Sequence, residues 1–297
     1  MSISKLITYC GILSNLVLSI PLDNPQTANS IFQPTGPQNE SIIPYLISHS
    51  NLNLTAGGNI KCNEQRYGNP SADSCRDAVA QIPQDPMTLM RNKKRSYGAR
   101  SPALVVHVGL PKRWISADGK CVADITQRGL PPISHVNDMD IFSAATIIFE
   151  TCVEENPQTP IPWGGESIQM SDEGNLQVIV QAYKPPFIRC AGAPPTSRPD
   201  SNACKTILDS MKATTGLTKF GAVGVEGIEE QLPMVLNEPT GKCKIIIDIT
   251  APDDIAQWYD IWAAAAALDG MCARGGRTGK SRFLGTNRKL TVEIKKS

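Results

Sequence analysis

The sequence predicts an α+β protein built from two tandem ferredoxin-like (β-α-β-β-α-β) α/β sandwiches, each with two disulfides. Three observations carry this expectation. First, a leader segment removes one of the nine cysteines and leaves eight, an even number suited to disulfide pairing. Second, those eight form two quartets with similar gaps. The gaps are 13, 46 and 31 residues across Cys62, Cys75, Cys121 and Cys152, then 14, 39 and 29 across Cys190, Cys204, Cys243 and Cys272. Third, side chains between the cysteines recur at matching offsets. Leu110-Pro111 precedes Gly119-Lys120-Cys121 as Leu232-Pro233 precedes Gly241-Lys242-Cys243. Ile141, Phe142, Ala144, Ala145 and Ile148 correspond to Ile261, Trp262, Ala264, Ala265 and Leu268. Gly164-Gly165 and Gly275-Gly276 follow the fourth cysteines. Such self-similarity marks an internal duplication.

Residues 1–20 have the form of a secretory signal peptide. Lys5 begins it, Leu6 to Ile20 carries no charge, and small Ser19 with Val17 offers a cleavage site. A membrane anchor fits less well, because a span needs about 20 apolar residues. No later stretch is long and apolar enough, so the mature chain is expected to have no transmembrane span. Residues 21–57, rich in Pro, Asn, Gln, Ser and Thr, form an expected flexible linker. It carries acceptor tripeptides for N-glycosylation at Asn39 and Asn53. The two sandwich repeats then occupy 58–186 and 187–297.

Each repeat yields the same elements in order. An extended piece holds the first cysteine, at 59–62 and 187–190. A helix surrounds the second, capped by Ser71 or Asp73 in one copy and Asp200 or Ser201 in the other. A hairpin follows, turning at 117–120 and at 239–241, where Asp-Gly and Thr-Gly favour tight turns. Next comes a helix whose Ile141, Ala144, Ala145, Ile148 and Cys152 share one face. Asp138 and Asp140 sit at its start, as Asp253 and Asp254 precede its counterpart, where carboxylates favour the helix dipole. Strands at 176–183 and 290–294 close the repeats. Four cysteines allow three pairings per repeat. The ferredoxin-like topology places strands one and three side by side, and therefore selects Cys62–Cys121 with Cys75–Cys152, and Cys190–Cys243 with Cys204–Cys272.

The signature Cys62, Pro70-Ser71-Ala72-Asp73-Ser74-Cys75-Arg76-Asp77-Ala78, Leu110-Pro111, Gly119-Lys120-Cys121, Phe142, Ala144-Ala145, Cys152 and Gly164-Gly165 resembles a group of small secreted Cys-rich proteins of filamentous fungi, many of them effector candidates. The likeness covers residues 59–297, twice over. The second copy departs from it at Pro199-Asp200-Ser201-Asn202-Ala203-Cys204. A more distant likeness, of topology only, is to the α/β sandwiches of killer toxins. The resemblance implies a secreted protein that acts by contact.

Searches for chemistry are mostly negative. The net charge of +1 excludes a generally basic nucleic-acid binder. Gly279-Lys280-Ser281 lacks the Gly a P-loop needs five residues earlier, where Arg274 stands, so no nucleotide is expected. The three histidines, His49, His107 and His135, form no nucleophile–base or metal-binding pattern. The aspartates near the second helices could serve a glycan hydrolase, but read more simply as helix caps. No catalytic residue, metal or cofactor is therefore assigned.

One charge anomaly remains. Residues 273–297 hold eight Lys or Arg against Glu293 alone, giving +7 where the rest of the chain is −6. Arg274, Arg277, Lys280 and Arg282, placed in a Gly-rich loop before the closing strand, are the candidate binding residues for an acidic surface. Lys295 and Lys296 are the expected charge-only control. Lys94-Arg95 marks a candidate maturation cleavage within an exposed loop, against a plainer reading as uncut surface. The expected function is a secreted, non-catalytic, effector- or toxin-like interaction protein that binds an extracellular protein or glycan of a host or cell wall. An extracellular glycan hydrolase is the alternative.

Overall fold

The computed structural model describes residues 59–84, 93–100, 106–154 and 162–297. The expected leader, linker, Asn39 and Asn53 lie outside the described residues.

The first repeat contains β1 (Asn59–Cys62), α1 (Glu64–Tyr67), α2 (Ala72–Ala80), β2 (Arg95–Ala99), β3 (Val108–Leu110), β4 (Lys112–Ile115), β5 (Cys121–Gln127) and β6 (Ile133–Val136). It continues with α3 (Asp138–Ile148), a π-helical turn (Phe149–Val153), β7 (Gly165–Ile168) and β8 (Leu176–Ala182). The second contains β9 (Phe187–Ala191), α4 (Ser201–Ser210), β10 (Leu217–Ala222), β11 (Glu230–Leu232), β12 (Met234–Asn237) and β13 (Lys244–Ile249). It ends with β14 (Asp253–Gln257), α5 (Trp258–Met271), β15 (Thr278–Leu284) and β16 (Leu290–Lys295).

Both repeats build the same pair of sheets. A five-stranded antiparallel sheet runs β1-β7-β8-β5-β4 in one and β9-β15-β16-β13-β12 in the other. A three-stranded sheet runs β3-β2-β6 and β11-β10-β14. The repeated Leu-Pro dipeptides mark one junction. The Leu110–Pro111 and Leu232–Pro233 bonds are both cis, where the chain leaves the small sheet and enters the large one.

This α+β architecture differs from the ferredoxin-like expectation. A split βαβ unit places strand one inside the sheet, beside strand three. Here β1 is an edge strand, paired antiparallel with β7 alone. The disulfide pairing changes with it. The bonds are Cys62–Cys152, Cys75–Cys121, Cys190–Cys272 and Cys204–Cys243, with Cα separations of 5.4, 5.0, 5.3 and 5.2 Å. They stay within each quartet, as expected, but Cys62–Cys121 and its analogues are not formed. Strands β7 and β8 separate β1 from β5, and three strand spacings come to about 14 Å. A disulfide spans at most about 7 Å between Cα atoms.

The repeated glycine has a steric cause. Gly165 pairs with Cys62 across β1–β7, and Gly279 pairs with Cys190 across β9–β15. A Cβ on either would lie 2.7 Å from the sulfur of Cys152 or Cys272. Gly279, rather than Gly276, is thus the counterpart of Gly165.

Helix α5 has Trp262, Ala264, Ala265, Ala267 and Leu268 buried almost completely, and apolar residues surround its axis. A helix apolar all round must be covered on all sides. One side packs on β15 and β16 of its own sheet, the other on β4 of the first repeat. The second repeat's core accordingly includes Ile115 and Val122, from the outer face of the first sheet. Trp114, Ala123 and Ile125, on the inner face, join the first core with α2 and α3. The large elements therefore stack as helices, sheet, helices, sheet. The outer face of the second sheet ends the stack.

Candidate functional site

The four tail residues do not form one loop. Arg274 lies in a 3₁₀ turn (Ala273–Gly275) and pairs with Asp77 of the first repeat at 2.7 Å. Arg277 is exposed and donates to the Met271 carbonyl at 2.6 Å. Lys280 and Arg282 lie within β15, alternating with buried Gly279 and Ser281. Thr278–Leu284 of the predicted loop is strand because its side chains alternate between core and solvent. This also leaves Gly279-Lys280-Ser281 with no phosphate-cradling loop.

Alternation places Lys280 and Arg282 on the outer face of the second sheet. Strand register adds Arg189, Lys244 and Lys295 to that face, with Glu293 and Asp248 the carboxylates among them. Five cations thus face two acids, and one acid, Glu293, pairs with Lys295 at 2.8 Å. Lys295 belongs to the patch and cannot serve as a charge-only control. Lys296 donates to the Thr196 carbonyl at 2.7 Å. At the sheet corner, Arg282 lies opposite Phe187. Phe283 follows it at a β-bulge with φ +64° and is 50% exposed. Its ring centre is 5.5 Å from that of Phe187.

The candidate carboxylates are engaged in structure. Asp138 is buried and accepts from the Tyr97 hydroxyl and from Arg95 at 2.8 Å. Asn137 caps the helix, accepting from the Met139 amide at 2.8 Å. Asp140 lies in the first turn, and burial raises its pKa. Asp253 and Asp254 are not its counterparts, because both belong to β14. Asp253 pairs with Lys219 at 2.9 Å. Asp254 accepts from the amides of Ile255, Asn287 and Lys289 at 2.8–2.9 Å and ties down the β15–β16 turn. The true counterpart of Asp140 is Asp260, each third in its helix and followed by Ile, an aromatic residue, one small residue (Ser143 or Ala263) and then two alanines.

The two described histidines also serve local structure. His107 Nδ1 lies 2.8 Å from Ser96 Oγ, and His135 Nδ1 lies 2.7 Å from Glu173. Lys94-Arg95 lies at the entry to β2, with Lys94 exposed. Lys94 pairs with Asp172 at 2.5 Å, and Arg95 opens β2 and binds Asp138.

A second concave site lies where the repeats meet. A cleft of about 740 Å³ runs between the Tyr183–Pro186 segment, the start of α5, β14 and the β15–β16 turn. At its base Arg113 makes a bidentate pair with Asp124, both bonds 2.7 Å, and both side chains are buried. The guanidinium lies 5.2 Å from the Tyr183 ring centre and 5.8 Å from that of Tyr259. It also donates to the Tyr259 hydroxyl at 3.0 Å. Burial raises the pKa of both phenols, so both hydroxyls stay protonated at neutral pH. Sequence reasoning missed Arg113 and Asp124. A signal existed: the equivalent facing pair in the second repeat is Val235 and Ile246.

Among the described residues no group of His, Cys, Asp and Glu could hold a metal ion, and no helix is long and apolar enough to cross a membrane. Comparison with protein-family models, curated proteins and solved structures finds no match.

Proposed function

We propose that this chain is a secreted, non-catalytic interaction protein, effector- or toxin-like, that binds a polyanionic component of a host or cell-wall surface. The observation that carries the reading is the outer face of the second sheet, with Arg189, Lys244, Lys280, Arg282 and Lys295 on one rigid platform. Clustered cations of this kind attract acidic polymers and speed encounter. Four disulfides support an oxidising, extracellular compartment. Asp138 and Asp254 spend their oxygens on structural hydrogen bonds, which favours contact over glycan hydrolysis. The likeness to secreted fungal Cys-rich proteins belongs to the same proposal.

Retention on immobilised polygalacturonate tests it. Retention should fall steeply between about 50 and 300 mM salt, because screening shortens with ionic strength. Arg189→Glu with Lys280→Glu and Arg282→Glu should abolish it. Arg277→Glu, off the platform, should leave most of it. Retention indifferent to salt and to the triple change would remove the sheet face from the mechanism.

A further inference from the structure

We propose that the cleft between the repeats binds a neutral oligosaccharide, with Tyr183, Tyr259 and Phe283 as ring platforms and Gln181, Gln257 and Asp260 as the groups that read hydroxyls. The cleft borders the basic sheet face at Phe283, whose ring lies near that of Phe187, but Arg189, Lys244, Lys280, Arg282 and Lys295 do not line it, so either reading can fail alone.

Size comes first. Ligand clefts span about 300–1,000 Å³ and combine aromatic lining with a few placed polar groups. This cleft, at about 740 Å³, has that composition. Charge narrows the ligand. Asp124 neutralises Arg113, which leaves Lys184 on the linker wall and Asp260 on the helix wall to balance one another. The lining residues thus carry no net charge, although the Arg288 guanidinium lies 5.1 Å from the Phe283 ring centre; a neutral ligand needs no charge partner there.

Preorganisation is the second argument. Arg113 sits against the rings of both Tyr183 and Tyr259, so neither ring must be ordered on binding. Binding costs fall when the site is already in place. Because Arg113 donates to the Tyr259 oxygen, the phenolic hydrogen remains free to donate elsewhere. Phe283 holds a backbone conformation that non-glycine residues rarely adopt, at a bulge that turns its ring out at the cleft mouth. Bulges and strained residues of this kind re-aim side chains at functional sites.

A sugar ring has an apolar C–H face and a polar rim. Aromatic rings match the first, with Leu217 and Ile255 extending the apolar margin at 69% and 39% exposure. Amides and a carboxylate match the second, since each can donate to or accept from hydroxyls. A purely apolar ligand would cover the rings but leave Gln181, Gln257 and Asp260 desolvated without matching partners, which is costly.

The full chain, titrated calorimetrically with cellohexaose, chitohexaose and laminarihexaose, tests the proposal. At least one should bind saturably. Asp260→Asn and Phe283→Ala should each weaken it by about tenfold or more. Tyr259→Phe, which keeps the ring and the fold, should weaken it less. Arg189→Glu with Lys280→Glu should leave it unchanged, and salt should shift it by less than about twofold. Thermal unfolding of each variant separates lost binding from lost fold. The proposal is overturned if no hexasaccharide saturates. Binding that ignores the cleft variants overturns it too. So does preferential capture of apolar decapeptides that the cleft variants abolish.

Discussion

At the residue scale, burial decides what a charged group can do. Asp269 is 6% exposed and accepts from Ser201 Oγ at 2.9 Å, in a setting that also includes Lys112, Lys205 and Arg274. Burial outweighs these partners and pushes its pKa up to about 6. An unfolded Asp titrates near 3.9. The native state therefore holds the proton more tightly between these values. Stability from this group is fully present below about pH 4 and is lost as pH rises through about 6. The loss should be of order 2–3 kcal/mol. Asp269→Asn should flatten that part of the pH profile in urea unfolding and raise stability at pH 7. An unchanged slope would show that Asp269 is ionised at little cost. Its sequence neighbourhood, Ala-Leu-Asp-Gly-Met, announces helix but not burial. Gly270 beside it lies so close to Ile115 of the other repeat that a Cβ there would come within 3.0 Å of the Ile115 carbonyl, an approach no local pattern records.

At the element scale, the disulfides divide into two roles. Cys75–Cys121 ties α2 to β5, an interior strand. Cys62–Cys152 ties the edge strand β1 to the turn after α3. Non-reducing peptide mapping should recover these links and not Cys62–Cys121. Removing either bond should cost about 2–5 kcal/mol. The patterns should differ, because β1 has one strand neighbour. Loss of Cys62–Cys152 should raise hydrogen exchange at Lys61, whose amide faces β7, while β5 and β8 stay protected. Loss of Cys75–Cys121 should weaken the whole repeat. Uniform loosening from both would mean that β1 is no separate unit. The helices and hairpin turns were legible because their signals are local. Asp200 caps α4 through the amides of Asn202 and Ala203, and Gly119 and Gly241 take positive φ at the expected turns. Cysteine pairing was not legible, because it depends on strand order, which spacing does not encode.

At the scale of the whole molecule, a buried ion pair of the first repeat packs against the second. Arg113 and Asp124 lie under Tyr183, Tyr259 and Trp262. Arg113→Ala should cost about 3–5 kcal/mol, because it leaves a buried carboxylate without its partner. Arg113→Leu with Asp124→Leu should recover most of the loss, since well-packed apolar replacements of buried pairs are often neutral. Equal urea midpoints for the single and double variants would contradict this account. The same stacking explains what was visible beforehand. Duplication, the second helices, the turns and the grouping of cysteines into two quartets follow from composition and periodicity, which act over a few residues. The basic tail was visible as charge but not as a face, since register with β9, β13 and β16 was needed to add Arg189, Lys244 and Lys295. The sequence by itself determined the two main helices, the hairpin turn and the closing strand of each repeat, and which cysteines share a repeat. Tertiary structure alone decided strand order, disulfide partners and the cleft, because these require distant segments to meet, and no local pattern records which ones do.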